Sequence, residues 1–386
     1  MRVCFIAVAF SGSFTFTSRL CEELRQQYHV DGYIITNASV NNASVDIAYE
    51  KTDCKAVNVW RKNNIFAPLA ILRFARTVGC DALVVQYEYS MFGSPALTQI
   101  LVLLLALLSK FFKFKIIIAL HGVLTPDSLK AITTHLFIKT LAKIVLGVFY
   151  KSISMFYDAI VVLNTLQKEA LEAYGVRPAK INIIPHGVEK CDIGVDGFSE
   201  GRQILFHGFI RPSKGLLELI DAVKHLAKDN VDVKLKILGS VAHQTFERVD
   251  EKRYVMEVTR RCEELKERCI MKLGFHKTEE LLKEAKRSYI IVLPYKDRFI
   301  ESSGVLHTFM DCGKAVIVSA TPRFLADLSP NEALFINPTT EELYKAIKSL
   351  IENEELYKLL AQGLKRKASS RYWNIVAQEW FKVIMK

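Results

Sequence analysis

A basic loop between a predicted strand and a predicted helix carries the clearest chemistry in this sequence. It places Arg211 and Lys214 between two glycines, Gly208 and Gly215, which let the backbone approach a ligand closely. Two fixed cations beside a diphosphate would stabilise the negative charge that develops as a bond to that diphosphate breaks. The alternative is an ordinary strand–turn–helix whose basic side chains face solvent. Gly208, Arg211 and Lys214 are therefore candidate phosphate-binding residues.

A second loop follows a later apolar strand and enters an apolar helix at Ser302, Ser303, Gly304 and Val305. Free backbone N–H groups at a helix start attract anions, and a glycine there leaves room for a phosphate. Glu301 directly precedes them and could accept hydrogen bonds from the hydroxyls of a ligand. Alternatively, the two serines simply cap the helix.

Several other kinds of site are absent from the sequence. It contains no Asp-x-Asp pair, no G-x-x-x-x-G-K-[ST] phosphate loop and no G-x-S-x-G nucleophile turn. Its nine histidines show no metal-ligand spacing such as H-E-x-x-H. We therefore expect no metal site.

The elements that must position these residues alternate between strands and helices, which predicts an α/β fold with parallel sheets. Most of the predicted strands are continuous apolar runs, as expected for strands covered on both faces. Helices are predicted near residues 16–28 and 215–226. The predicted strands span residues 3–8, 31–36, 82–86, 116–120, 159–163, 203–208, 233–239, 288–294 and 315–319.

A chain of 386 residues is too long for one ordinary core, so two domains are expected. The polar, glycine-containing stretch at residues 190–202 predicts a linker between them. We place the first domain at residues 1–190 and the second at residues 191–370. Two doubly wound sheets joined in this way predict a ligand cleft between the domains, at the carboxyl ends of the strands.

The eight cysteines include no C-x-x-C pair, which argues against a zinc site or a disulfide framework. It favours a reducing compartment. The apolar run at residues 3–8 is too short for the apolar core and cleavage site of a signal peptide. These observations predict a cytoplasmic protein.

The formal net charge is +11, and the basic excess is concentrated at residues 97–160, which contain seven lysines and two aspartates. The same region is apolar, but its longest apolar run ends at Lys110, short of the roughly 20 residues that span a bilayer. One interpretation is a buried helix with a basic rim. The other is a basic, apolar face on an anionic membrane, with the protein peripheral on its inner face. Nucleic-acid binding has no motif support.

Five segments, in this order and spacing, resemble the GT-B family of retaining glycosyltransferases, which includes many mannosyl- and glucosyltransferases. They are residues 84–93 (Q-x-E-x-x-x-F-G), 119–124 (strand ending L-H), 182–188 (I-P-H-G-V), 208–215 (G-x-x-x-P-x-K-G) and the final helix with Trp373 and Trp380.

The resemblance implies two Rossmann-like domains facing a central cleft, with a final helix at residues 371–386 that crosses back to the first domain. It also implies metal-independent transfer of a hexosyl unit from a nucleoside-diphosphate sugar, which is a co-substrate rather than a cofactor. The acceptor would be a saccharide or a lipid-linked molecule. The basic region favours a lipid-linked one.

The resemblance also gives individual residues roles. Lys214 matches the lysine that contacts the donor diphosphate, and His121 the histidine near the donor sugar and the reacting centre. Gly12 matches a glycine loop near the donor phosphate and the acceptor. Arg211 fits the branch of the family that reads G-F-I-R-P, because many other members carry the arginine where this chain has Phe209.

One departure from the family pattern concerns a pair of glutamates, eight positions apart, that holds the nucleotide ribose. If Glu301 is the first, Phe309 occupies the second position; an alignment anchored on Cys312 and Gly313 instead gives Ile300 and Thr308. The second carboxylate is absent either way. A non-catalytic sugar-nucleotide-binding subunit therefore remains an alternative to a transferase. Another GT-B enzyme, a sugar-nucleotide epimerase or a glycogen-phosphorylase-like catalyst, is a separate alternative.

Overall fold

The computed structural model describes residues 1–9, 11–37, 54–125, 128, 136–192, 202–241 and 249–386. Most of the predicted linker at residues 190–202, and residues 126–127 and 129–135 of the basic region, lie outside these ranges. The chain forms two compact units. The first comprises Met1–Gly187, Phe299–Ser302 and Trp373–Lys386, and the second comprises Val188–Arg298 and Ser303–Tyr372.

The first unit contains a parallel seven-stranded sheet in the order β3-β2-β1-β4-β5-β7-β8. A short antiparallel pair, β6 with β13, lies beside it in the same unit. The strands are β1 (Arg2–Ile6), β2 (Asp31–Thr36), β3 (Lys55–Asn58), β4 (Ala82–Tyr87), β5 (Lys115–Leu120), β6 (Gly122–Val123), β7 (Ala159–Val162), β8 (Ile181–Ile183) and β13 (Ile300–Glu301).

Two apolar cores are associated with this sheet. Local sequence signals start several of the helices: the side chains of Ser11, Ser94 and Asn164 each accept a hydrogen bond from the first turn that follows. The helices of this unit are α1 (Gly12–Tyr28), α2 (Ala67–Thr77), α3 (Pro95–Phe111), α4 (Leu136–Phe156), α5 (Thr165–Ala173) and α13 (Trp373–Met385).

The second unit contains a parallel six-stranded sheet in the order β11-β10-β9-β12-β14-β15. Its strands are β9 (Arg202–Phe209), β10 (Val233–Ser240), β11 (Cys269–Leu273), β12 (Ile290–Leu293), β14 (Ala315–Ser319) and β15 (Leu334–Ile336). Its helices are α6 (Leu216–Lys228), α7 (Val249–Glu264), α8 (Thr278–Arg287), α9 (Gly304–Phe309), α10 (Pro322–Leu325), α11 (Thr340–Glu352) and α12 (Glu354–Ser369).

The predicted α/β fold with two doubly wound parallel sheets is confirmed. Helix α6 illustrates why the helices could be predicted from the spacing of apolar residues. Its large buried side chains recur at the spacing of one helical face: Leu216, Leu219, Ile220, Val223 and Leu226. In each sheet the strand order reverses once, between β1 and β4 and between β9 and β12. Ligands of such sheets bind outside the carboxyl ends of the strands at these reversals.

The prediction that the cysteines form no disulfide framework is wrong. All eight are paired, as Cys4–Cys80, Cys21–Cys54, Cys191–Cys312 and Cys262–Cys269. Sequence spacing concealed the pairs because the sheet brings distant segments together: Cys4 lies on β1, and Cys80 just precedes the neighbouring β4. A Cβ on Gly32 would lie 2.1 Å from the sulfur of Cys21, so this glycine makes room for one disulfide. The argument for a reducing compartment loses its basis, and a cytoplasmic location stays a prediction.

The interpretation of residues 97–160 as simply buried is also incomplete. Helices α3 and α4 pack together and bury one face each, but large apolar side chains on both remain exposed. Within the described ranges, no helix is long and apolar enough to cross a membrane.

Candidate functional site

In the second unit, Lys214 lies in the loop that follows β9, at the reversal of the strand order. This loop is tied to the one after β12, because the backbone N–H of Lys296 donates to the carbonyl of Ser213 at 2.8 Å. Gly215 allows the close approach. It has a φ of +67°, and a Cβ there would lie 2.1 Å from the carbonyl oxygen of Pro294. The two predicted loops therefore form one structural element.

The ammonium group of Lys214 is held by an aromatic ring and a carboxylate that the sequence analysis did not single out. Its Nζ lies 3.5 Å from the centroid of the Tyr295 ring and 3.7 Å from Oδ2 of Asp297. Asp297 also accepts a hydrogen bond of 2.7 Å from the guanidinium of Arg323, a largely buried arginine. The cluster of Lys214, Arg323 and Asp297 has two positive charges and one negative charge. It retains a net attraction for an anion.

Burial also restrains Tyr295, the ring beneath Lys214. Desolvation raises the pKa of the Tyr295 hydroxyl above its ordinary value, so it stays a neutral donor. Its ring is 1% exposed and supplies a face for the cation. Tyr295 therefore holds the Lys214 ammonium group in position without adding a negative charge that would compete with an anionic ligand.

Arg211, the other predicted cation, has a different partner. Its Nε lies 3.7 Å from a carboxylate oxygen of Glu251 on α7, and its guanidinium lies 5.2 Å from the centroid of the Phe209 ring. Its side chain is 35% exposed. The structure thus pairs Lys214 with Asp297 and Arg211 with Glu251.

The structure supports a helix cap at residues 302–305 more directly than the predicted anion site. Helix α9 is one and a half turns long, and the side chain of Ser303 accepts a hydrogen bond from the N–H of Leu306. This is the capping arrangement that the sequence left open. Phe309, at the position of the missing carboxylate, is buried in the core of the second unit beside His207. It offers no hydrogen bond to a ribose.

His121 lies just past the carboxyl end of β5 in the first unit. Its Nε2 is 2.8 Å from Oε1 of Gln86 on the adjacent β4, and its ring meets that of Phe16 edge-on at 5.0 Å. Desolvation first, and then the charge of His186, lower the pKa of His121 to about 3. His121 is therefore neutral at pH 7. With the Gln86 carbonyl as acceptor, its proton sits on Nε2 and its Nδ1 is an acceptor.

The other end of the Gln86 amide has no hydrogen-bond partner among the described residues. Its Nε2 is fully buried and makes no hydrogen bond to any described residue. An unpaired amide donor at such a point costs free energy, on the order of 1–3 kcal/mol. A bound group that accepts this hydrogen bond would recover it.

Glu301 belongs to the first unit rather than to the second, where the sequence analysis had placed it with the donor-binding residues. Strand β13 pairs antiparallel with β6, so that Glu301 lies opposite Gly122, the neighbour of His121. A Cβ on Gly122 would lie 3.1 Å from Cγ of Glu301 and 3.2 Å from the hydroxyl of Tyr89. Gly122 therefore lets the carboxylate, the phenol and the strand end of His121 come together.

Tyr89 is a half-buried tyrosine whose hydroxyl lies beside this carboxylate. Desolvation, followed by neighbouring charges that include Glu301, raises the pKa of Tyr89 well above its ordinary value. Tyr89 is consequently a proton donor at every physiological pH.

Gln167 connects the pieces of this cluster through its side chain. Its Oε1 accepts from the N–H of Leu163 at 2.6 Å, and its Nε2 lies within donating distance of the carbonyls of His121 (3.2 Å) and Ile300 (3.3 Å). Gln167 is completely buried. It thus fastens the β13 segment, which carries Glu301, to the strand end that carries His121.

Gly12 is the first residue of α1, and the space around it would accept a Cβ. Its helix supplies Phe16, whose ring contacts His121, His186 and Trp373 at centroid distances of 5.0, 5.1 and 5.2 Å. Phe16, rather than Gly12, therefore makes the contacts of this helix near the candidate site.

The structure thus places Lys214 in one cluster of the second unit and brings His121 and Glu301 close together in the first unit. Arg211 lies outside the Lys214 cluster and pairs with Glu251. Sequence reasoning missed Gln86, Gln167, Tyr295, Asp297 and Arg323 as site residues. A signal existed for Gln167, because Asn164 and Gln167 form an N-cap pair three residues apart at the start of α5. No group of three or more His, Cys, Asp or Glu side chains in the described part of the chain is arranged to hold a metal ion.

Comparison with protein families gives one match. Residues 195–367 match the family model of the glycosyl transferases group 1. This segment includes the Lys214 cluster and all six strands of the second sheet. No curated protein matches the sequence.

Solved structures resemble the chain over its whole length at low sequence identity. HepE of Anabaena, in complex with UDP and glucose, superposes with a TM-score of 0.74, 13% identity and coverage of 100% of both chains. Sucrose-phosphate synthase from Thermosynechococcus elongatus gives 0.74, 15% identity and coverage of 99% of this chain and 98% of its own. A Listeria monocytogenes protein named as a UDP-N-acetylglucosamine 2-epimerase gives 0.64, 14% identity and coverage of 99% and 95%. At these identities the likeness concerns the fold.

Proposed function

Because the chain carries a domain of the glycosyl transferases group 1 family at residues 195–367 and adopts the GT-B fold, we propose that it is a retaining, metal-independent hexosyltransferase. The donor is a nucleoside-diphosphate sugar. The acceptor is a saccharide or a lipid-linked saccharide.

The observation that carries this proposal is the setting of Lys214. A lysine 13% exposed, placed at the strand-order reversal and backed by Tyr295, has a fixed charge where a ligand of this sheet would bind. Asp297 holds it at 3.7 Å, which is long for a hydrogen-bonded ion pair. A diphosphate, with more charge and more acceptor oxygens, is a better partner. Lys214 would then stabilise the diphosphate as it leaves.

The remaining predicted donor contacts keep their roles within this proposal. Arg211 is a second cation for the diphosphate, once it exchanges Glu251 for the ligand. Gly208, Ser302 and the backbone of residues 303–305 contact the donor, and Gly12 belongs to the loop near the donor phosphate and the acceptor.

We assign the cluster in the first unit to the sugar. His121, neutral and with Nδ1 as an acceptor, takes a hydrogen bond from a sugar hydroxyl, and Glu301 accepts from others. The acceptor hydroxyl oxygen forms its bond to the anomeric carbon on the face from which the diphosphate departs. The diphosphate takes the proton of that hydroxyl, so the configuration at the anomeric carbon is retained.

UDP-glucose is the first donor to test, because HepE of Anabaena was solved with UDP and glucose. Thermal unfolding is measured with UDP, GDP, ADP and their sugar conjugates, in the presence of a metal chelator. A ligand at 100 times its Kd stabilises the protein by about 2.7 kcal/mol. We expect a shift with one nucleotide family. The absence of any shift would contradict the donor site, both for a transferase and for a sugar-nucleotide-binding subunit.

The lysine is tested directly by Lys214→Ala, with Lys296→Ala as the matched control. Both lysines lie beside the same two loops, but Lys296 pairs with Glu218 at the surface. We expect Lys214→Ala to lower turnover by about two to three orders of magnitude, and Lys296→Ala to keep it within a fewfold. Equal effects of the two variants would remove Lys214 from the phosphate site.

The epimerase alternative is favoured by one comparison, the Listeria protein, and is tested without any acceptor. Conversion of the sugar nucleotide to its epimer under these conditions would establish it. A transferase gives slow donor hydrolysis instead. NMR of the glycoside formed with an acceptor then reports the anomeric configuration, and inversion would contradict the proposed mechanism.

A further inference from the structure

Two neighbouring helices of the first unit, α3 and α4, each present a stripe of exposed apolar side chains. On α3 the stripe recurs at intervals of seven and four residues, and on α4 at intervals of three, one, three and seven, so each stripe follows one helical face. The exposed residues are Ile100, Leu107 and Phe111 on α3, and Leu141, Ile144, Val145, Val148 and Met155 on α4.

These stripes are far more apolar than an ordinary exposed helix face. Phe111 is 77% exposed and Met155 72% exposed, and each is the last exposed apolar residue of its helix. Isolated exposed apolar residues are common, but eight large ones on two packed helices indicate a surface that binds a partner.

A lysine-lined pocket lies at the end of the two helices where Phe111 and Met155 are found. It has a volume of about 380 Å³ and is lined by Lys110, Lys113, Phe114, Lys115, Asp158 and Lys386. Four lysine side chains face one aspartate side chain, which gives the side chains of the lining a charge of +3. Asp158 is already engaged, because it pairs with Lys110 and accepts from the N–H of Ile116.

The pocket is consequently a site for a further anion. Desolvation lowers the pKa of Lys115 from its ordinary value, and an anion in the pocket would compensate that cost. The pocket also lies at the amino-terminal edge of the sheet, since Lys115 begins β5, whereas His121 follows the carboxyl end of the same strand. It is therefore separate from the candidate site.

We propose that α3, α4 and the adjoining lysine pocket form a docking surface for a bilayer that contains anionic phospholipids. The apolar stripes enter the boundary between headgroups and acyl chains, and the lysines, with exposed Lys143 and Lys151 on α4, contact headgroup phosphates. Charge selects this occupant: along residues 97–160, seven lysines accompany two aspartates, a balance suited to an anionic surface. The proposal does not depend on the transferase reaction.

Sedimentation of the full chain with vesicles tests the surface. Phosphatidylcholine vesicles are compared with vesicles in which about a third of the lipid is phosphatidylserine, at low salt and at about 0.5 M salt. We expect binding to the anionic vesicles that weakens as salt rises. A folded protein that fails to bind them at low salt, or that binds neutral vesicles equally well, overturns the proposal.

Two pairs of variants locate the binding. Ile144→Asp with Val148→Asp should abolish sedimentation, whereas Met256→Asp, at an even more exposed apolar position on α7, should not. Replacing Lys113 and Lys386 by Gln should weaken binding about 25-fold, from about fivefold per lysine near an anionic surface. Lys345→Gln with Lys365→Gln, in the second unit, is the control and should have little effect.

Thermal unfolding and nucleotide binding confirm that each variant is folded. Unchanged binding by the α4 or the pocket variants would place the membrane contact elsewhere and overturn the assignment. Sedimentation equilibrium tests whether a second copy of the chain, rather than a membrane, covers this face. A dimer that Ile144→Asp dissociates would mean that a second copy of the chain covers this face, and the membrane proposal would fall.

Discussion

Replacement of Gln167 by alanine is the most informative perturbation of the first unit. The substitution removes the acceptor of the Leu163 N–H and the donor to the carbonyls of His121 and Ile300. At about 1 kcal/mol net for each hydrogen bond, the free energy of unfolding should fall by about 3 kcal/mol. For a unit of this size that corresponds to roughly 6–12 °C in Tm.

The same substitution should affect turnover through the position of Glu301. Without Gln167, β13 keeps its two-residue pairing with β6 but loses the side chain that fastens it. A displacement of about 1 Å at a group near the reacting centre can lower the rate about a hundredfold. The affinity for the nucleotide should change much less than kcat, because the Lys214 cluster belongs to the other unit.

The assay therefore combines Tm, kcat and nucleotide Kd for Gln167→Ala and for Gln203→Ala. Gln203 is a buried glutamine of the second unit whose side chain donates to Ser288, so it controls for the general cost of losing a buried amide. We expect both variants to be less stable, with a loss of kcat confined to Gln167→Ala. A Gln167→Ala protein with unchanged kcat, or with a Tm within about 2 °C of the parent, would refute the reasoning.

Two further predictions concern the titration of His121 and the cysteine pairs. Since the pKa of His121 is about 3, below the ordinary 6.5, its imidazole should not titrate between pH 5 and 8. The part of the folding stability that depends on neutral His121 is complete above pH 6.5 and is lost as the pH falls toward 3. NMR of the ring checks this, and a midpoint near 6.5 would contradict the burial argument. Thiol titration of the unfolded, unreduced protein should find no free cysteine, and peptide mapping should recover the Cys191–Cys312 pair. Because that pair closes a loop of 121 positions, its reduction should destabilise the protein by about 4–5 kcal/mol, whereas eight free thiols would show that the cysteines are reduced.

The sheets could be predicted because the strands of a parallel sheet are apolar along their whole length. Strand β4 buries all six of its residues and β14 all five, and both begin with four consecutive apolar residues. The Lys214 loop could also be predicted from local sequence, because a glycine on each side of a basic turn indicates that the backbone approaches a ligand or another segment closely.

The partners of those residues could not be predicted, because they come from segments whose proximity depends on the whole topology. Asp297 reaches Lys214 from the loop after β12, and Arg323 reaches Asp297 from α10. No local pattern marks either residue. Glu301 was assigned to the wrong unit for the same reason, since a two-residue pairing with β6 leaves no periodic signal. The cysteine pairs were missed because separation along the chain is a poor guide to distance in a folded sheet.

The short strand β13 also sets a limit on how this protein can be recombined with its relatives. The first unit is built from three stretches of chain, and the middle one, Phe299–Ser302, is encoded between two parts of the second unit. A chimaera joined near residue 187 would therefore receive its first 187 residues from one parent and its β13 and α13 from the other. The exchange would separate Gln167 and Gly122 from the Glu301 segment they fit, so functional chimaeras should require residues 299–302 and 373–386 to travel with the amino-terminal half.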